Sequence, residues 1–213
     1  MQGDQNLHRI GTSIRALRGE ILHTLPPSPW KEFLQDLDDH LGEVCHLAIF
    51  GGFAVTQVYG VGRPTADIDV LEVTPLHAHR DLDRFGGRDS DLAIRHKVYL
   101  DIVGAGVANP PYEYDIRLRP IYAGAFKHLH LLVMDPYDVA LTKLKRDSDK
   151  DIQDVLRLAA IIPFDLDLFE KRYLEELRDN TTGRAEDNDQ IFYRWKTLIL
   201  EDRSRLNDPI NGQ

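Results

Sequence analysis

A chain of 213 residues, 42% hydrophobic and 29% charged, has the make-up of a folded globular protein with enough apolar side chains for a real core. Its formal net charge of −9 excludes the broad basic surface that non-specific nucleic-acid binding needs, though not a local basic groove. The single cysteine, Cys45, excludes an internal disulfide, and beside Leu47-Ala48-Ile49-Phe50 it reads as a small buried hydrophobe rather than a nucleophile.

No apolar run approaches the ~20 residues of a membrane span, and the first ten residues lack the apolar core of a secretory signal. The expected compartment is the cytoplasm. In chain order, Ile14, Leu17, Ile21 and Leu25 recur at helical spacing. They predict a helix over 10–25, capped by Thr12 or Ser13 and stopped by Pro26-Pro27-Ser28-Pro29. A second helix, with Pro29 near its first turn, runs through Trp30, Phe33, Leu34, Leu37 and Leu41 to Gly42. An apolar strand over 44–50 ends in Gly51-Gly52. A short helix-compatible segment and Arg63-Pro64-Thr65 lead to a second strand over 68–73, broken by Pro75. Residues 76–95 read as a polar, partly helical excursion interrupted by Gly86-Gly87. A third strand is expected over 96–103 with Asp101 inside it, then a loop at Asn109-Pro110-Pro111 and a fourth strand over 128–134. Residues 112–122 carry no decisive pattern.

Asp135-Pro136 has the form of a helix N-cap followed by proline at the first helical position. The helix it opens bears Val139, Leu141 and Leu144 and a basic end at Lys143, Lys145 and Arg146. After the break Asp147-Ser148-Asp149, a helix runs through Ile152, Val155, Leu156 and Leu158. Another runs from Pro163-Phe164-Asp165 to about Arg178, followed by a polar linker over 179–189 and a last helix over 190–205. The expected fold class is α+β: a small mixed sheet with helices over 1–135, led by two helices, then a helical region over 136–213 that contributes to the site. Segment 51–66 is short for a parallel crossover, so the first two strands should pair antiparallel or lie in a mixed sheet.

Asp67 and Asp69 stand one residue apart on a strand, so both carboxylates point to the same face. Two like charges so close are costly unless a cation lies between them, and oxygen-only ligands suit Mg²⁺ or Mn²⁺. A lone D-x-D pair is usually a solvated strand edge. Here it abuts Val70-Leu71, and Asp101 is a third carboxylate in an apolar run. Three carboxylates on adjacent strands can hold two metal ions for in-line phosphoryl chemistry, with one carboxylate as base. Gly51-Gly52 ahead of a helix start is an ordinary turn by itself, but next to such a site it is a seat for phosphates. Arg63 and Thr65 are placed to contact a phosphate or to fix the strand entrance. Lys143, otherwise part of a solvated charge face with Arg146, Lys150, Asp151 and Asp154, becomes a candidate triphosphate clamp. The pairs His77-x-His79 and His128-x-His130 lack a third ligand and read as solvated or packing residues. Tyr112, Tyr114, Tyr122, Tyr193 and Trp195 read as packing aromatics before base-stacking ones.

The pattern G-G-(x)10-R-x-T-x-D-I-D-V resembles the signature of the nucleotidyltransferase fold of the DNA polymerase β superfamily, with Gly51, Gly52, Asp67 and Asp69 in the signature positions. Gly52 stands where serine is usual, which leaves backbone N–H groups to meet phosphate. Lys143-Leu144-x-Arg146 followed by Lys150-Asp151-Ile152-x-Asp154-Val155 is similar to abortive-infection type nucleotidyltransferases, the toxin halves of toxin–antitoxin pairs. There Lys143 matches the motif lysine and Asp151 the later aspartate, with Asp154 next. The resemblance covers about residues 45–160. It implies Mg²⁺ or Mn²⁺ on Asp67, Asp69 and Asp101, and NTP on Gly51, Gly52, Arg63, Thr65, Lys143 and Asp151. It also implies NMP transfer to a hydroxyl acceptor such as a tRNA 3′ end, and an antitoxin partner. The rival readings are transfer to a small molecule or protein side chain, and a non-catalytic nucleotide-binding module.

Overall fold

The computed structural model describes residues 25–180 and 184–207. The helix expected over 10–25 lies outside the described residues. Helix α1, Trp30–Asp39, buries Trp30, Phe33, Leu34 and Leu37 along one face and starts behind Pro29. Strand β1, Cys45–Phe50, is followed at once by a one-turn helix α2, Gly51–Phe53, that widens into a π turn at Ala54–Val58. Strand β2 is Asp67–Thr74.

The polar excursion after Pro75 is helical: a 3₁₀ turn at Leu76–Ala78, α3 at His79–Gly86 and α4 at Asp91–His96. Ser90 caps α4 by accepting the Ala93 N–H, and Lys97, at φ +61°, ends it. The third strand therefore starts later than expected: β3 is Tyr99–Ile102, and His96 is the last helical residue, its ring on Asp36. A four-residue turn of helix, α5 at Ala105–Ala108, leads on to the segment that carried no clear pattern. That segment holds a 3₁₀ turn, Asp115–Arg117, and the edge strand β4, Arg119–Ile121. Strand β5 is Leu129–Val133. Buried Asp38 accepts the N–H groups of Lys127, His128 and Leu129 and so fixes the entrance of β5 against α1.

The five strands form one mixed sheet in the order β3-β2-β1-β5-β4. Strands β1 and β2 pair antiparallel, as their short connection demands, while β1–β5 and β2–β3 are parallel. A bulge at Leu71 lets Ile49 face Val70 and Phe50 face Asp69.

Helix α6, Pro136–Thr142, has the expected Asp135 cap and proline start. It stops before the basic residues placed at its end: Lys143–Arg146 are successive turns, closed by Asp147 N–H donating to Lys143 O. Helix α7, Asp149–Ile161, is capped by Ser148; α8, Leu166–Arg172, continues as a π turn at Tyr173–Leu177. The last helix, α9, Ala185–Asn207, starts earlier than expected, because Glu186 and Asp187 suit the positive end of a helix. Arg117 joins the loop before β4 to these helices through Asp138 and Glu176. One apolar core runs from Trp30 to Ile199, and Cys45 is buried in it. No described helix is long and apolar enough to cross a membrane.

Candidate metal centre and phosphate cleft

The register of β2 and β3 sets Asp69 directly beside Asp101, and Asp67 beside Tyr99. With Asp67 and Asp69 two residues apart, the three carboxylates share one sheet face. They offer one oxygen each within 4.8 Å of one another, and all three are half-buried. Among the described residues this is the one His/Cys/Asp/Glu group with metal-holding geometry. The histidine pairs do not join it: His77 is on Glu43, His128 on Asp38 O, and His130 faces His46 across the strands.

The glycine pair holds this group in place. The Gly52 N–H donates to Asp69 Oδ2 at 2.9 Å. Gly51 adopts φ +63°, and a Cβ there would lie 1.8 Å from the same Oδ2. Only glycine meets both demands. A Cβ on Gly52 would crowd Thr65 Oγ1 and the Arg63 guanidinium, so Arg63 and Thr65 lie against the same turn. Thr65 donates to Asp67 Oδ1 at 2.6 Å. Asp69 sits above its ordinary pKa chiefly because it is buried, and Asp67 adds to the rise; the Gly52 N–H, Lys143 and Arg146 pull against it. Asp101 makes no ion pair or hydrogen bond among the described residues. Three hard oxygen donors within 4.8 Å of one another, one of them without a protein partner among the described residues, fit Mg²⁺ or Mn²⁺.

Gly51→Ala should keep the fold and weaken divalent-cation binding by roughly 10- to 100-fold, because the new methyl must push the Asp69 carboxylate aside. Titration with Mn²⁺ checks this, and unchanged affinity would show that Asp69 need not hold its present position.

Behind the carboxylates lies a second charged cluster. Lys143, 2% exposed, donates to Asp151 Oδ1 at 3.1 Å and Asp154 Oδ2 at 2.9 Å. Arg63 grips Asp154 with two hydrogen bonds, 2.6 and 2.7 Å. Ser148 and Arg146 complete Asp151, at 2.6 and 2.8 Å. Burial alone would raise both aspartates. The hydrogen bonds from Ser148 to Asp151 and from Arg63 to Asp154, with the Lys143 charge, outweigh it and hold both below the usual carboxylate range. Three cations thus face two carboxylates, and the cluster keeps a positive charge behind an acidic site.

A cleft of about 190 Å³ opens onto the triad, lined by Gly51, Asp69, Asp101, Val107, Lys145 and Arg146 among others. The structure brings Gly51, Gly52, Thr65, Asp67, Asp69 and Asp101 together, while Arg63, Lys143 and Asp151 stand one layer back in the cluster around Asp154. The exposed cations of the cleft are Lys145 and Arg146, which the sequence presents only as a basic helix end. Lys145 has no ion pair among the described residues. The turn after Thr142 is what sends Lys143 inward and Lys145 and Arg146 outward, and helical periodicity does not reveal it. Asp154, second to Asp151 as the motif aspartate, is the residue that joins Lys143 to Arg63. Its signal in the sequence was its place three residues after Asp151, on the same helix face.

A family model described as "Nucleotidyltransferase of unknown function (DUF6036)" matches residues 30–203. No curated protein and no solved structure matches the chain.

Proposed function

Because the chain belongs to the DUF6036 family of nucleotidyltransferases of unknown function, we propose that it moves an NMP unit from an NTP to a hydroxyl acceptor and releases pyrophosphate. The observation that carries this reading is that one cleft is lined both by Asp69 and Asp101 and by Lys145 and Arg146. Asp67, Asp69 and Asp101 would hold Mg²⁺ or Mn²⁺, which would supply charge neutralisation at the phosphates and acidify the acceptor hydroxyl. Asp101, on the edge strand β3 and without a protein partner among the described residues, takes the acceptor proton. The Gly52 N–H holds Asp69, and Gly51 lines the cleft that takes the triphosphate. Lys145 and Arg146 meet the β- and γ-phosphates. Lys143, with Asp151 and Asp154, anchors this cationic turn and ties it to Arg63 and Thr65 at the entrance of β2.

In this reading the region 1–135 supplies the carboxylates and 136–213 the cations, so neither is active alone. The acceptor we favour is an RNA 3′ end, in the setting of a toxin with its antitoxin. The sequence resemblance around Lys143 and Asp151 supports it. The net charge of −9 favours the second reading, a small-molecule or protein hydroxyl.

One incorporation experiment separates them. Each of four α-labelled NTPs with Mg²⁺ is offered to total RNA, to small metabolites and to protein. Label in RNA supports the favoured acceptor, and label in another fraction the second reading. No label and no pyrophosphate from any NTP would leave a nucleotide-binding module without catalysis. Lys145→Ala should weaken Mg-NTP binding by roughly 10-fold, as loss of a charge-assisted phosphate contact implies. Equal affinity by calorimetry would remove Lys145 from the phosphate site.

A further inference from the structure

The cationic turn is not held by its own helix alone. Asp147, at φ +45°, is the residue that lets the chain leave α6 and turn toward α7. Its carboxylate receives the indole N–H of Trp195 at 2.7 Å and the guanidinium of Arg194. Trp195 is 1% exposed, on the inner face of α9 beside Phe192 and Ile199. Phe192 in turn stacks on Tyr173 at 4.1 Å, so α9 is seated on the helical layer and cannot swing freely. Asp147 is adjacent to Arg146 and two residues from Lys145, both of which line the cleft.

We propose that α9 is a strut for substrate affinity: through Trp195 and Arg194 it fixes Asp147, and through Asp147 the aim of Lys145 and Arg146 at the triphosphate. The proposal rests on the nucleotidyltransferase reading of the cleft. Trp195 and Asp147 touch no reacting atom; they are positioning residues. Two observations meet here that ordinary packing does not require. A buried indole N–H is spent on a side chain 48 positions away rather than on a nearby carbonyl. The same carboxylate belongs to a left-handed residue, where the backbone has an uncommon conformation to maintain. Arg194, half exposed, adds less than the indole.

The test uses the full chain and three substitutions. Trp195→Phe keeps an aromatic ring in the core and removes the donor. Asp147→Gly keeps the left-handed turn accessible and removes the acceptor. Asp147→Asn retains an oxygen for the indole. Calorimetry with each of the four Mg-NTPs reads binding, steady-state incorporation reads KM and kcat, and Mn²⁺ titration reads the triad separately. Trp195→Phe and Asp147→Gly should each raise the Kd and KM for Mg-NTP on the order of 10-fold, as loss of an outer-layer support does. The kcat should stay within about 2-fold and Mn²⁺ affinity should not change. Asp147→Asn should recover most of the NTP affinity. If both variants melt earlier yet bind Mg-NTP as the parent does, the strut is structural only and the proposal is overturned. If the parent itself binds no Mg-NTP, the reading of the cleft fails and takes the proposal with it. If the parent binds and Asp147→Asn is as weak as Asp147→Gly, the indole contact is not the device.

Discussion

Asp69→Asn is expected to abolish nucleotide transfer while leaving the protein at least as stable as the parent when no divalent cation is present. Asparagine keeps an oxygen for the Gly52 N–H and keeps the shape of the side chain. It removes the charge that burial and Asp67 both disfavour. The sign follows from the direction of the shift. A carboxyl raised above 3.8 in the folded chain binds its proton more tightly there than in the unfolded chain. Its contribution to stability is therefore present at low pH and is lost as pH rises through the raised value. At neutral pH a neutral isostere restores it. The parent should gain from Mg²⁺ what the variant cannot: at about a hundred-fold excess over Kd the gain is about 2.7 kcal/mol, or roughly 5–10 °C in Tm for a chain of this size. The metal's charge stabilisation is worth several kcal/mol, so kcat should fall on the order of 10³-fold. Thermal melting with chelator and with Mg²⁺, beside pyrophosphate release, reads all three effects. A variant that still transfers nucleotide at the parental rate would sink the metal assignment.

The second large effect is on stability. Asp154, fully buried, satisfies both Arg63 and Lys143. Asp154→Ala leaves a buried ammonium with one partner and a part-buried guanidinium without its carboxylate. Breaking a buried pair on one side costs about 3–5 kcal/mol. Urea unfolding at pH 7 should show that loss, together with weaker Mg-NTP binding, because Arg63 then no longer steadies the approach to Asp67. The pH dependence runs opposite to that of Asp69. Asp151 and Asp154 lie below 3.8 in the folded chain, so their contribution is complete above that value and drains as pH falls through the lowered ones. The parent should lose stability steeply in that acid range, and Asp154→Ala less steeply. A loss under about 1 kcal/mol at pH 7 would mean that water replaces the carboxylate, and the cluster would not be a joint between the two halves.

Much of the site was legible because strand periodicity is strict. Two residues apart on a strand means one face, and Asp67 and Asp69 needed nothing more. Asp101 joined them because a carboxylate inside Tyr99-Leu100-Asp101-Ile102 is too costly to be idle. The antiparallel pairing of β1 and β2 followed from the length of their connection. The sequence misled where a single residue redirects the chain. Lys97, at φ +61°, closes α4 and delays β3, and no periodic signal marks it. Likewise the helix stops at Thr142, and the turns at Lys143–Arg146 decide which of three cations is buried. Nothing in the local sequence marks Asp38 and Asp138, yet both are buried and bonded to groups far along the chain. Such long-range polar contacts leave no local trace, since their partners are set by tertiary packing.

The Arg63–Asp154 contact spans 91 positions. Synthesis at about 5–20 residues per second puts roughly 5–20 s between the two ends of that bond. Within that interval, while synthesis runs from residue 101 to residue 142, the nascent chain carries Asp67, Asp69 and Asp101 but neither Lys145 nor the helix that steadies it. A ribosome-stalled chain ending before residue 143 should take up divalent cation and incorporate no nucleotide, which labelled NTP on stalled complexes would read. On the proposed function, the cleft would be complete only once residue 154 has been made.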